Sequence, residues 1–150
     1  MKILFVCHGN ICRSVMAEMV MRHLLSQQNL EQDWEIDSCA TSCEEIGNDI
    51  YPPAKRCLTQ HGIPFTRHYA RQITAADYDH FDLILCMEEY NIRNLRRVLG
   101  EVLMQQDAAL LQPKIRRLLD RDVADPWYTG DFEATFRDVL EGCQMILLNK

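Results

Sequence analysis

The chain has 150 residues, 47% hydrophobic and 25% charged, which fits one domain with a substantial core and excludes disordered and fibrous classes. Lys and Arg number 16 against 22 Asp and Glu, a formal charge of -6, so the basic surface that a nucleic-acid partner requires is missing. An anionic ligand must be drawn in by local charge, against the overall field.

In chain order, residues 3–6 (Ile-Leu-Phe-Val) form a continuous apolar run, as expected of a strand buried on both faces and too short for an export signal. Residues 15–25 are mostly apolar and too long for a strand, so they predict a helix packed deep in the protein. Residues 34–39 alternate and predict a second strand. Pro52 and Pro53 open a helix that closes at His61-Gly62, with proline at its start and glycine past its end. Thr74 and Asp77 are spaced as a capping pair for a short helix. Residues 83–86 predict a third strand, followed by a helix to about Leu99. The stretch 100–112 reads as helix or inserted loop, and 115–118 predict a weaker fourth strand. Phe132, Phe136, Val139, Leu140, Cys143 and Ile146 recur at helical spacing and predict a final helix with one buried face.

Strands alternating with helices predict an α/β fold in three layers: a four-stranded parallel sheet flanked by helices on both faces, in one domain over 1–150. No apolar run approaches the ~18–20 residues of a membrane span. The seven cysteines (Cys7, Cys12, Cys39, Cys43, Cys57, Cys86, Cys143) form no zinc-type pair of CxxC pairs and are expected to be reduced thiols in a cytoplasmic protein.

The informative segment is Cys7-His8-Gly9-Asn10-Ile11-Cys12-Arg13-Ser14, between the first strand and the first helix. Ligands of open parallel sheets bind beyond the carboxyl ends of the strands, and this loop lies there. The helix that follows aims its free N–H groups and positive dipole end at it. Five residues between Cys7 and Arg13 allow the backbone to curl into a ring of N–H donors around a phosphate-sized anion, with Gly9 and Asn10 suited to left-handed positions. A cysteine beside a helix N-terminus and an arginine is held as thiolate, which can attack phosphorus. Arg13 offers a planar fork for two phosphate oxygens, and the Ser14 hydroxyl is placed to hydrogen-bond the sulfur as it leaves. The bland reading of C-x5-R is a buried cysteine plus a surface arginine; its place between strand and helix argues against that.

A phenolate, with a pKa of about 10, leaves poorly unless protonated, so the chemistry needs an acid. Asp125-Pro126-Trp127-Tyr128 supplies a candidate: proline restricts Asp125 to extended conformations, and Trp127 and Tyr128 can flank an aromatic ring. A plain surface turn is the alternative, with Asp120 and Asp122 as unconstrained competitors.

Together and in this order, the intact loop from Cys7 to Ser14, His68-x-Ala70-Arg71-Gln72, Leu85-Cys86-Met87 and the Asp125–Tyr128 element resemble the low-molecular-weight protein tyrosine phosphatases, over essentially the whole chain. The resemblance implies hydrolysis of phosphotyrosine in proteins through a cysteinyl-phosphate. Cys7 is then the nucleophile, Arg13 the phosphate binder and Asp125 the general acid and base. It implies that residues His8 to Ser14 bind phosphate, supported by a network of Asn10, Ser14, Ser38 and His68. Cys12 matches a second loop cysteine that forms a protective disulfide with the nucleophile in the family. No cofactor and no metal are implied, and the partners expected are phosphotyrosine-containing proteins, with phosphate and similar oxyanions as inhibitors of a monomer.

Some positions depart from the pattern. Val15 stands where the family commonly has proline. Glu44 falls near a rim position that is often tryptophan, so acidic phosphopeptides should be repelled and ring stacking lost. Tyr90 replaces a small residue and restores aromatic contact, completing a rim of Glu44, Tyr90, Trp127 and Tyr128. Tyr128 also matches tyrosines phosphorylated in some relatives. Two rivals share the resemblance. Arsenate reductases need relay cysteines that are missing after Cys86. Protein-arginine phosphatases typically carry threonine where Ile11 stands, and isoleucine there favours an aryl ring. A redox-responsive or silent phosphate-binding protein is the non-enzymatic alternative, with Cys7 and Cys12 as its thiol pair.

Overall fold

The computed structural model describes residues 1–149. Strands β1 (Lys2–Cys7), β2 (Glu35–Ala40), β3 (Leu83–Cys86) and β4 (Ile115–Arg117) are all parallel and lie in the order β2-β1-β3-β4. The helices are α1 (Arg13–Gln27), α2 (Pro52–Gln60), α3 (Ala75–His80), α4 (Glu89–Leu99), α5 (Glu101–Ala108), α6 (Pro126–Thr129) and α7 (Phe132–Leu148). None is long and apolar enough to cross a membrane.

The continuous apolar run of β1 follows from its inner place, with β2 on one side and β3 on the other. Ile3 and Phe5 join a core with Val15, Val20 and Met21 of α1, Ala54 and Leu58 of α2 and Phe136 and Val139 of α7. Leu4 and Val6 face the other way, packing with Ile84, Cys86, Leu95, Leu99 and Met104, beside α4 and α5. Both faces are therefore covered, giving the three layers expected. Each fully buried aliphatic side chain contributes roughly 1.5–3 kcal/mol, so β1 is a firm base for the loop at its end.

Boundaries shift slightly from expectation. Helix α1 opens at Arg13, so the arginine that ends the C-x5-R loop is already its first residue. The capping pair is real: the Thr74 amide and hydroxyl donate to Asp77 Oδ2 at 2.8 and 3.2 Å. The ambiguous stretch 100–112 contains α5, separated from α4 by Gly100 at φ 92°, a left-handed position that breaks one helix into two. Buried Asp107 then ties its end to β4 by accepting the amides of Lys114 (2.9 Å) and Ile115 (3.1 Å).

Candidate active site

The loop 7–13 lies where β1 ends and α1 begins, with the ends of β2 and β3 alongside. It floors a cleft of about 500 Å³ walled by Glu44, Glu45, Glu88, Tyr90, Asp125, Trp127 and Tyr128. Neighbouring backbone pins the loop from outside: Thr41 N donates to Cys7 O (2.9 Å), Ser42 N to His8 O (3.1 Å) and Tyr51 N to Ile11 O (2.9 Å). These bonds occupy the carbonyls of Cys7, His8 and Ile11. Among the described residues, the amides of Gly9, Ile11 and Cys12 take no acceptor, while Asn10 N donates to Cys7 Sγ at 3.3 Å. Unpaired amides at a helix N-terminus are an arrangement able to cradle an anion.

Only one of the two residues expected in left-handed geometry adopts it. Asn10 sits at φ 62°, whereas Gly9 has no positive φ. A Cβ on Gly9 would meet Glu45 at 3.4 Å, an ordinary contact, so Gly9 is not demanded by backbone conformation.

Asn10 holds the loop's shape. Its Nδ2 donates to Ser14 Oγ (2.9 Å) and Ser38 Oγ (3.0 Å), and its Oδ1 accepts from His68 Nε2 (3.1 Å) and Arg71 N (3.2 Å). Both neighbours of His68 Nε2 on Asn10 are acceptors, the second being the main-chain oxygen at 2.8 Å, so this nitrogen carries the hydrogen. Ser14 accepts from Asn10, which leaves its O–H free for Cys7 Sγ, 2.9 Å away. Ser38 likewise accepts from Asn10 and donates to Glu18 Oε1 at 2.6 Å.

Arg13 is 1% exposed and donates three hydrogen bonds: Nη1 to Val123 O (2.9 Å), Nη2 to Glu88 Oε1 and Asp125 Oδ2 (both 3.2 Å). Burial works against its charge, but the negative neighbours Cys7, Asp125 and Glu88 outweigh this and raise its pKa above the ordinary value. Asp125 is extended (φ -79°, ψ 114°) and caps α6 by accepting from Trp127 N at 3.0 Å, as the proline after it favours. The competitors are occupied elsewhere: Asp122 accepts from Glu89 N and Arg117, and Asp120 pairs with Arg121. Burial and the charge of Cys7 push the Cys12 thiol far above its usual range, and both cysteines are free.

At the rim, His8 Nε2 meets Glu44 Oε2 at 3.0 Å, while His8 Nδ1 is buried without a partner among the described residues. His8 is thus tied to the rim carboxylate. Tyr90, Trp127 and Tyr128 are exposed, and the Trp127 ring packs on Tyr51 with centroids 4.9 Å apart. Ser14, Ser38 and His68 stand behind the loop, outside the cleft lining. Sequence reasoning missed Glu88 and Glu18. Glu88 follows the carboxyl end of β3, the zone where ligand sites form, and Glu18 is a carboxylate one turn after Ser14 in an apolar helix. Both positions were signals.

The sequence model described as low molecular weight phosphotyrosine protein phosphatase matches residues 2–149. The human protein of that name is 41% identical over 153 residues, covering 97% of this chain and 92% of its own length. The crystal structure of YfkJ from Bacillus subtilis superposes with a TM-score of 0.89 at 36% identity, covering 99% of this chain and 93% of that one. A structure of a Drosophila arginine phosphatase gives a TM-score of 0.83 at 33% identity, covering 99% and 97%. With sequence, fold and loop in agreement, the chain belongs to the low molecular weight phosphotyrosine protein phosphatases, a family of hydrolases.

Proposed function

We propose that Cys7, Arg13 and Asp125 carry the phosphotyrosine phosphatase activity of this chain, in two steps within the one domain of residues 1–150. In the first, Cys7 Sγ attacks phosphorus, the P–O bond to the tyrosine breaks, and protonated Asp125 delivers its proton to the phenolic oxygen. Arg13 and the loop amides hold the equatorial oxygens as their charge rises. In the second, Asp125 takes a proton from water, the water oxygen attacks phosphorus, and the S–P bond breaks with the Ser14 hydroxyl donating to the departing sulfur. Inorganic phosphate and the resting thiolate remain.

What supports this reading is the convergence of sulfur, guanidinium and carboxylate on one cleft, Arg13 Nη2 lying 3.2 Å from Asp125 Oδ2 and Cys7 Sγ 2.9 Å from Ser14 Oγ. On this reading the enzyme works as a cytoplasmic monomer, without a cofactor in either step, on phosphotyrosine-bearing proteins, and phosphate and similar oxyanions compete for the loop. Glu44 and Glu45 at the rim disfavour acidic residues beside the phosphotyrosine.

The test is hydrolysis of p-nitrophenyl phosphate, phosphotyrosine peptides with acidic or basic flanks, and phosphoarginine peptides, with Cys7→Ser as control. The reading expects Cys7-dependent turnover of the aryl phosphates, basic flanks preferred, and little of phosphoarginine. The Drosophila neighbour makes arginine phosphatase the second reading; preference for phosphoarginine would establish it and show that Ile11 does not discriminate.

A further inference from the structure

Away from the cleft, the end of α2 meets the first turn of α7. Cys57 and His61 are four residues apart, so both project from one face of α2 and its cap. Glu133 in the first turn of α7 faces them. Cys57 Sγ lies 3.6 Å from Glu133 Oε1, and His61 Nε2 lies 3.0 Å from Oε1 and 2.8 Å from Oε2. The three donor atoms are all within 4.8 Å of one another. The His61 ring is fixed by stacking on Phe136, with centroids 3.9 Å apart and planes 11° off parallel, which aims its Nε2 edge at the carboxylate. A groove bordered by Pro53, Gln60 and Asp131 opens onto Cys57 and Glu133 and shares no lining residue with the catalytic cleft.

We propose that Cys57, His61 and Glu133 form a site for a divalent metal ion of borderline softness, such as Zn2+ or Co2+, with water completing the coordination. Thiolate, imidazole and carboxylate together are a donor set that such ions favour over Mg2+ or Ca2+. Tetrahedral bonds of about 2.3 Å to sulfur and about 2.0–2.2 Å to nitrogen and oxygen place donor atoms roughly 3.3–3.7 Å apart. The Cys57–Glu133 separation of 3.6 Å falls inside that range and the His61–Glu133 separations of 2.8 and 3.0 Å fall below it, so binding requires the His61–Glu133 pair to spread by about 0.5 Å. The Cys57 S–H now donates to Glu133 and to Phe132 O, both at 3.6 Å; on binding this proton passes to solvent and the metal takes its place.

Such an ion clips α2 to α7. The start of α7 is in turn joined to the acid loop, since Thr135 Oγ1 donates to Ala124 O at 3.2 Å and Phe132 stacks on Tyr51, the ring beneath Trp127. The site is therefore a stabilising staple under one wall of the cleft. It takes no part in phosphoryl transfer.

The test is titration of the reduced protein with Co2+, followed by absorption. The site predicts one equivalent with a sulfur-to-cobalt charge-transfer band and the intense visible bands of four-coordinate cobalt, retained in Cys7→Ser and Cys43→Ser and absent in Cys57→Ala. Affinity should fall by more than the ~10-fold typical of losing even an outer-sphere partner in His61→Ala and Glu133→Gln. These two side chains are exposed, so their variants decide the matter even if Cys57→Ala folds poorly. Zn2+ should raise the Tm of the wild type and not of Glu133→Gln. A sulfur band that disappears in Cys7→Ser, one unchanged in His61→Ala and Glu133→Gln, or no sulfur band at all overturns the proposal.

Discussion

Asn10→Ala separates the two ways in which this residue shapes the loop. Asn10 is fully buried at φ 62°, where a Cβ that lacks asparagine's local hydrogen bonding costs about 1 kcal/mol or more. Its side chain makes four hydrogen bonds, but their loss is unequal. His68 Nε2 keeps the main-chain oxygen of residue 10, Ser14 keeps Cys7, and Ser38 keeps Glu18. Only the Arg71 amide is left without an acceptor, at a cost of about 1–3 kcal/mol. The total is roughly 2–4 kcal/mol, or a fall in Tm of roughly 4–16 °C at about 2–4 °C per kcal/mol for a chain of this size. Asn10→Gly relieves the backbone cost and should be about 1 kcal/mol more stable than the alanine variant. Neither restores the orientation of Ser14, so kcat/KM for p-nitrophenyl phosphate should fall on the order of 10²-fold in both. Thermal unfolding by circular dichroism and steady-state kinetics read the two effects. Wild-type kcat/KM in Asn10→Gly would refute the role of the side-chain network, and equal stability of the two variants would refute the backbone argument.

Asp125→Ala should slow hydrolysis of phenyl phosphate by about 10²–10⁴-fold and that of esters with acidic leaving groups much less; equal losses would place the acid elsewhere. Burial alone would raise the Asp77 carboxyl, but Arg71 and Thr74 outweigh it and hold its pKa below the ordinary value. A carboxyl depressed by folding adds stability that is present above about pH 4 and is lost as pH falls through the folded-state pKa. Asp77→Asn should therefore be less stable at neutral pH and lose less stability than wild type between about pH 5 and pH 3; parallel unfolding curves would contradict this. Gly142→Ala sets two effects against each other. Alanine gains up to about 1 kcal/mol of helix propensity, but its Cβ would lie 2.4–2.8 Å from three carbons of Leu118, and overpacking of that kind costs about 1–3 kcal/mol. The clash wins, so Tm should drop; a rise would show that Leu118 swings aside freely.

The layered sheet was legible because β1 carries its apolar run on both faces and α7 its period of one face, patterns set by burial itself. Helix ends were less so. Whether residues 100–112 are helix or loop turns on the backbone angle of Gly100, which composition does not reveal. In the site, Cys7, Arg13 and Asp125 were readable because spacing along a strand-to-helix turn, and a proline, constrain them. Glu18 and Glu88 were not singled out, since their roles depend on Ser38 and Arg13, which lie 20 and 75 residues away in the chain. The left-handed position fell to Asn10 and not Gly9 because asparagine alone can both adopt that conformation and reach four partners.

The claim on which the rest depends is that phosphorus passes through Cys7. Rapid acid quenching of Asp125→Ala during turnover of an aryl phosphate, followed by peptide mass spectrometry, tests it directly, because in the proposed mechanism Asp125 is the base that activates water in the second step. A phosphoryl group on the Cys7 peptide, absent in Cys7→Ser, is the expected result. A phosphoryl group on another residue, or turnover in Cys7→Ser at the wild-type rate, would contradict it.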